Sequence, residues 1–456
     1  MTRAAWSTCV VLVVAACDQP GVPPDDPLDA ALDAEVRGQL TQWGVVPIGA
    51  LPPANPALVE LGRALAFDKI LSGNRDISCA TCHPPSAHGT DGLSLSVGTG
   101  GTGVGPARAL GAGRRFIPRN APSLLNQGLR SPYIFWDGRV SGVGAGPFQK
   151  PANVTLPAGL PNILAAQAML PVLNRQEMRG EAGDLDVFGN PNELAQLADS
   201  QYAKVWQGIM QRVLAIPEYV TMFAAAFPAK SPQSLGFQDA ATAIAAFMTN
   251  AFARSDSPLD RYLARNDFAL SAEAKRGALV FFQRARCASC HSGPLLGGQG
   301  FANDGVPQLG PGTGNGAPLD RGRGEVDTLP SNQAWVRFQF RVPPLRNVEL
   351  TAPYMHDGAY PTLEAVVRHY DDVPAAQRSY DVTQLSPALQ GMVHNDDVTI
   401  AAVSATLDFR VRTPFRFTDQ EKADLVAFLK ALTDPAARDL SALVPAAVPS
   451  GLPVQD

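Results

Sequence analysis

The chain has 456 residues, of which 45% are hydrophobic and 17% charged, with a formal net charge of -5. That length holds two or three domains. The composition is that of a soluble globular protein, and the slight acidity excludes a nucleic-acid surface built on net basic charge. Gly 41 and Pro 40 together exceed average usage, so long irregular loops are expected.

At the N-terminus, Arg3 followed by the apolar run Ala4 to Val14 reads as an export signal. The run is too short for a membrane span, which needs about 20 residues. Val14-Ala15-Ala16-Cys17 resembles the lipobox of bacterial lipoproteins. The resemblance implies a signal peptide over residues 1–16, acylation of Cys17 and a lipid anchor on the periplasmic side of a bacterial membrane. An ordinary secretory signal with an incidental cysteine is the alternative. Residues 17–50 are expected as a tether and N-terminal extension, with Asp18 to Pro27 extended.

Downstream, apolar spacing is mostly helical and no strand series stands out. Asn55-Pro56 predicts a capped helix with Leu58, Leu61 and Leu65 on one face. Gly73-Asn74 breaks it, and Cys79-Ala80-Thr81-Cys82-His83 follows. In the second half Ser271 can cap a helix in which Gly277, Val280 and Phe281 share a face, leading into Cys287-Ala288-Ser289-Cys290-His291. C-x-x-C-H is the attachment signature of c-type haem. The cysteines add to the vinyl groups, and His83 and His291 ligate the irons. A zinc ribbon would hold its two cysteine pairs within about 20 residues of each other, and a thioredoxin-like site would sit near a βαβ pattern. Neither description fits, so two covalent haems are expected. Cys9 and Cys17 are the remaining cysteines, which leaves no pair for a structural disulfide.

Thr418-Asp419-Gln420-Glu421 is a capping box before the stripe Leu425, Phe428 and Leu429, and predicts a closing helix. Phe237 to Phe252 is its expected counterpart in the first half. Arg254 to Pro258 breaks helical periodicity between the halves. The expected architecture is mainly α, with two cytochrome c-like helical domains over 51–257 and 258–440 and a tail over 441–456. Glycine-rich loops run from Gly98 to Gly113 and from Gly293 to Gly324. Gly98 to Gly103 matches G-x-G-x-x-G, but no strand precedes it and no helix follows. It is expected as a loop over the first haem edge.

With these pieces placed, the chain resembles the bacterial di-haem cytochrome c peroxidase and MauG superfamily from Pro56 to Pro435. The resemblance rests on Phe135-Trp136-Asp137-Gly138-Arg139, on Pro344-Leu345-Arg346-Asn347-Val348 and on Thr351-Ala352-Pro353-Tyr354-Met355-His356-Asp357-Gly358. It implies that the haem of His83 meets peroxide and the haem of His291 relays electrons. It implies Glu177 and Gln167 as distal catalytic residues of the first haem. A carboxylate there can carry a proton between the peroxide oxygens, a step that contributes about 10²–10⁴-fold. It implies Trp136 as a relay between the haems, and a calcium ion held by Asn120 with the carbonyls of Thr351 and Pro353. Without the resemblance, Glu177 reads as a surface acid and Trp136 as a core aromatic.

Three positions depart from the family's pattern. Thr99 stands where many members carry a histidine that caps the first haem, and His88 is the nearby alternative. An open sixth position is therefore expected. Tyr370 stands where ordinary peroxidases supply a methionine to the second haem, and MauG-type members carry tyrosine there. His369, Met355 and Met392 are its rivals, and neighbouring helical side chains point about 100° apart, so only one of His369 and Tyr370 can face the iron. Tyr370 is preferred, and His394 is expected at the surface. Ala285 stands where partner-oxidising members use a tryptophan, so an oxidised partner would need another route, such as Trp335.

The expected function is a di-haem peroxidase that reduces hydrogen peroxide to water with electrons from a small c-type cytochrome. A MauG-like oxidase of a partner protein is the alternative enzyme. A non-enzymatic electron carrier is the third reading, opposed by Glu177 and Gln167, because a relay needs no distal acid. Monomer and homodimer are both left open.

Overall fold

The computed structural model describes residues 27–455 except 52, 130–131, 143–147, 152, 299 and 327–332. The expected signal peptide and Cys17 lie outside the described residues.

Each half is built on two crossed helices. In the first half, the entry helix Pro56–Phe67 starts where Asn55 accepts a hydrogen bond from the Ala57 N–H, with proline at the first helical position. It crosses the closing helix Phe237–Ala251. Gly62 makes the crossing possible: a Cβ there would fall 1.9 Å from the Ala243 carbonyl oxygen. In the second half, Ser271 caps the entry helix Ala272–Leu279 by accepting from the Ala274 N–H. Thr418 and Glu421 form the capping box of the closing helix Asp419–Lys430. Gly277 is the counterpart of Gly62, since its Cβ would fall 1.9 Å from the Asp424 carbonyl oxygen. Leu61, Leu65 and Ile244 anchor the first core, and Phe281, Leu425 and Phe428 the second.

The second entry helix is shorter than its apolar stripe predicts. It ends at Leu279, and Val280–Arg284 forms a π-helical turn before Cys287. Among the described residues, strands are confined to three antiparallel two-residue pairs: Tyr133–Ile134 with Val140–Ser141, Phe301–Ala302 with Phe340–Arg341, and Gln308–Leu309 with Val393–His394. His394 is therefore not a plain surface residue. It is half-buried, with Nε2 3.0 Å from the Gly310 carbonyl oxygen.

The chain ends are exchanged between the halves. From Pro27 the N-terminal extension is a helix, Pro27–Gln42, while the expected tether lies outside the described residues. Its Val36 and Leu40, with Val45 after it, join the second core. Asp33 pairs with Lys275 at 2.8 Å and accepts from the Tyr262 hydroxyl at 2.7 Å. The C-terminal segment returns to the first half. Arg63 donates to the carbonyls of Leu443 and Val444 at 2.9 and 3.1 Å. Ser450 donates to Asp68 at 2.6 Å, and Leu452 enters the first core.

A buried ion cluster joins the halves. The Arg119 guanidinium donates to Asp320 at 2.6 and 2.9 Å and to Asp137 at 2.7 Å. Burial alone would raise Asp137, but Arg139 and Arg119 outweigh it and hold its carboxyl far below the usual range.

Candidate haem sites

Each C-x-x-C-H motif opens on a large cavity. Cys79, Cys82 and His83 line the first, and Cys287, Cys290 and His291 line the second. Short helical turns over Cys79–Cys82 and Cys287–Ser289 present the residues from one edge. The two histidines are set identically. Nδ1 of His83 lies 2.9 Å from the Gly89 carbonyl oxygen, and Nδ1 of His291 lies 3.0 Å from that of Leu296. An acceptor there fixes the proton on Nδ1 and leaves Nε2 as the free base, the arrangement a metal-ligating histidine needs. Burial lowers both imidazoles, His291 to about 4, so both are neutral and ready to ligate. The paired thiols, the fixed imidazoles and the largely apolar walls fit a covalent c-type haem in each cavity.

Above the first motif, Gln167 and Glu177 line the same cavity as His83. Glu177 sits in a π-helical turn, Arg175–Arg179, started by Asn174, whose side chain accepts from the N–H groups of Gln176 and Glu177. Such turns are rare and recur at functional sites. Nδ2 of Asn174 donates to Glu177 Oε1 at 2.9 Å. Burial pushes the Glu177 carboxyl up to about 7, with Arg139 partly opposing. A carboxyl with that value can both take and return a proton near neutrality.

None of the Gly98–Gly103 loop, expected over the first haem edge, is among the described residues lining the first cavity. It packs behind Glu177 instead. The Thr99 N–H donates to the Glu177 carbonyl at 2.9 Å, and a Cβ on Gly98 would fall 1.9 Å from the Gln176 carbonyl oxygen. The Thr99 hydroxyl donates to Asp76 at 2.8 Å and accepts from Asn74 at 3.0 Å. His88 is turned away, with Nδ1 3.0 Å from the Ala437 carbonyl oxygen.

In the second cavity, Tyr370 and Met355 are lining residues. His369 is 1% exposed and engaged at both ring nitrogens, Nδ1 2.8 Å from the Tyr360 hydroxyl and Nε2 2.8 Å from the Asp304 carbonyl oxygen. The Tyr370 hydroxyl donates to Asp304 Oδ2 at 3.0 Å. Burial pushes the Asp304 carboxyl up to about 6, partly opposed by that bond, and raises the Tyr370 phenol well above its ordinary value. Met392 packs against the second core, and Ala285 is a lining residue. Trp335 stands 63% exposed.

Trp136, Asn120 and Arg341 line both cavities. The Trp136 Nε1–H donates to the Asn120 carbonyl at 2.9 Å, which fixes the indole between the two sites. Asn120, Thr351 and Pro353 share the second cavity. The Asn120 amide donates to the Leu93 carbonyl at 2.7 Å, so its Oδ1 remains as an acceptor. Among the described residues no cluster of three or more His, Cys, Asp or Glu could hold a metal ion, so any cation here would rest on amide and carbonyl oxygens.

Sequence reasoning passed over Arg341, Asp304 and the ion cluster on Arg119. Asp304 lies in irregular chain and Arg341 on a two-residue strand, and no periodicity marks either. Asp137 and Arg139 alone carried a signal, both within Phe135-Trp136-Asp137-Gly138-Arg139.

A profile of the family described as di-haem cytochrome c peroxidase matches residues 56–268. The chain is 33% identical over 299 residues to the cytochrome c551 peroxidase of Pseudomonas aeruginosa, covering 66% of this chain and 67% of that one. It is 29% identical over 411 residues to the methylamine utilization protein MauG of Methylorubrum extorquens, covering 90% of this chain and 88% of that one. Among solved structures, a MauG-like protein associated with microbial copper homeostasis superposes with a TM-score of 0.58 at 27% identity, covering 87% of this chain and 95% of the other. The di-haem peroxidase BthA of Burkholderia thailandensis shares the fold, with a TM-score of 0.54 at 22% identity over 86% of this chain and 93% of the other.

Proposed function

The chain belongs to the di-haem cytochrome c peroxidase family, and on that premise we propose that it reduces hydrogen peroxide to water with electrons from a small c-type cytochrome. The reaction takes one peroxide, two electrons and two protons to two waters. The observation that carries the reading is the sharing of one cavity by His83, Gln167 and Glu177, with the Glu177 carboxyl near 7. Haems held at Cys79, Cys82 and His83 and at Cys287, Cys290 and His291 would supply the electrons that the peroxide takes up. Glu177 takes the proton from one peroxide oxygen at its carboxylate and delivers it to the other, which then leaves as water. The Gln167 amide orients the peroxide. Asn174 holds the carboxylate in place through its bond to Oε1.

Trp136 is the electron relay between the sites, a role supported by its place in the wall of both cavities. Asn120 with the carbonyls of Thr351 and Pro353 would hold a calcium ion beside it, since amide and carbonyl oxygens suit that hard cation. The chain acts on the periplasmic side, anchored through acylated Cys17. No helix among the described residues is long and apolar enough to cross a membrane.

A second reading is favoured by one observation: Tyr370 faces the second cavity while His369 is bonded at both nitrogens. As a phenolate, Tyr370 would hold the second iron, lower its potential and favour a MauG-like oxidase that uses peroxide to oxidise a partner protein. Turnover with a reduced c-type cytochrome separates the two. Fast turnover supports the peroxidase. Negligible turnover, with a long-lived two-equivalent oxidised state, supports the oxidase. Because Thr99 is bonded to Asp76 and His88 to Ala437, the fully ferric protein should react with peroxide on stopped-flow mixing without prior reduction.

A further inference from the structure

Arg341 is 3% exposed and has no described acidic partner. It lies on the strand Phe340–Arg341, and its backbone N–H donates to the Trp136 carbonyl at 2.6 Å. Its side-chain Nε donates to the Phe135 carbonyl at 3.2 Å. Nη1 is buried with no hydrogen-bond partner. Burial pushes the guanidinium down to about 10, and no nearby charge offsets it. The neighbouring arginines differ: Arg119 has Asp137 and Asp320, Arg139 has Asp137, and Arg346 has Asp260 at 3.0 Å. An unpaired buried cation is strongly unfavourable, so a group at this position is expected to bring a negative charge.

We propose that Arg341, standing in the wall common to both cavities, is the counter-ion for a haem propionate from each side. A c-type haem is held at its vinyl edge by the two thioethers, which leaves two carboxylates at the opposite edge without covalent restraint. The planar guanidinium offers separate donors to two carboxylates, which a point-like ammonium does less well. The arrangement places one cation between the two propionates, beside Trp136, and ties the two haem potentials to a single charge. The inference rests on the two-haem assignment and not on peroxide turnover.

The test uses the full-length, haem-loaded protein and its Arg341→Gln and Arg341→Lys variants, each first shown to carry two covalent haems per chain. Spectroelectrochemical titration from pH 5 to 8 reads both midpoint potentials. In the wild type both are expected to be flat with pH. In Arg341→Gln both are expected to fall at the alkaline end and to rise as pH drops, because propionates without their cation take up protons in this range. Potentials unchanged in Arg341→Gln, or a change at one haem only, would overturn the proposal. If Arg341→Gln loses haem, resonance Raman of wild type and Arg341→Lys decides it. Shifted propionate-bending bands at both haems support the pairing, and unchanged bands reject it. Potentials that follow added chloride in the wild type would mean that the cation holds a free anion instead, which also rejects it.

Discussion

The two haem sites share one scaffold and differ in what the segments between its crossed helices bring to each cavity. Both have an entry helix crossed by a closing helix at a glycine, Gly62 or Gly277, and both fix the histidine of C-x-x-C-H through Nδ1 to a backbone carbonyl. The first cavity receives Gln167 and a π-turn carrying Glu177, a carboxyl raised to about 7. The second receives Tyr370, hydrogen-bonded to Asp304. The crossed helices carry the two motifs, and the segments between them, among them the helices Ile163–Ala168 and Leu363–Asp371, bring different side chains to each cavity.

The largest test of that difference removes one haem at a time. Cys79→Ala with Cys82→Ala should halve covalent haem on a stained gel and abolish the reaction with peroxide. Cys287→Ala with Cys290→Ala should also halve the haem, yet leave a protein whose remaining haem still responds to peroxide. Equal loss of the peroxide response in both pairs would end the assignment of separate roles.

Glu177→Gln should slow peroxide cleavage by about 10²–10⁴-fold. The wild-type rate should rise with pH through about 7 and level off above it, because burial holds the carboxyl protonated below that point and only the carboxylate accepts the peroxide proton. The variant should show no such step. Stopped-flow rates from pH 5 to 9 decide this, and a step of the same midpoint in Glu177→Gln would assign it to another group.

Tyr370→Met should raise the potential of the second haem and leave the first unchanged, since a thioether favours the ferrous state. Identical potentials and optical spectra would remove Tyr370 from the ligand set. Gly62→Ala and Gly277→Ala should destabilise the fold comparably, by about 1–3 kcal/mol. Thermal unfolding checks this, and a cost at only one of the two would show that the crossings are not equivalent. Ser271→Ala, which removes a helix cap, should cost only about 1 kcal/mol in the same assay.

The sequence alone determined what local chemistry encodes. C-x-x-C-H names its cofactor because two thiols and a base must sit at fixed spacing. The caps Asn55, Ser271 and Thr418 mark helix starts because an orphan N–H needs an acceptor within three residues. Periodicity located both closing helices. It could not see that Val280–Arg284 winds as a π-turn, because a π-turn keeps the same apolar residues and changes only the ladder. Tertiary structure decided the exchange of chain ends, the turning of His369 away from the cavity occupied by Tyr370, and the meeting of Arg119 with Asp320. It also left Arg341 without a counter-charge between the cavities. These depend on residues far apart in the chain, several of them in short or irregular segments. No repeat or cap marks such residues, so only the packing of the two halves against each other brings them together.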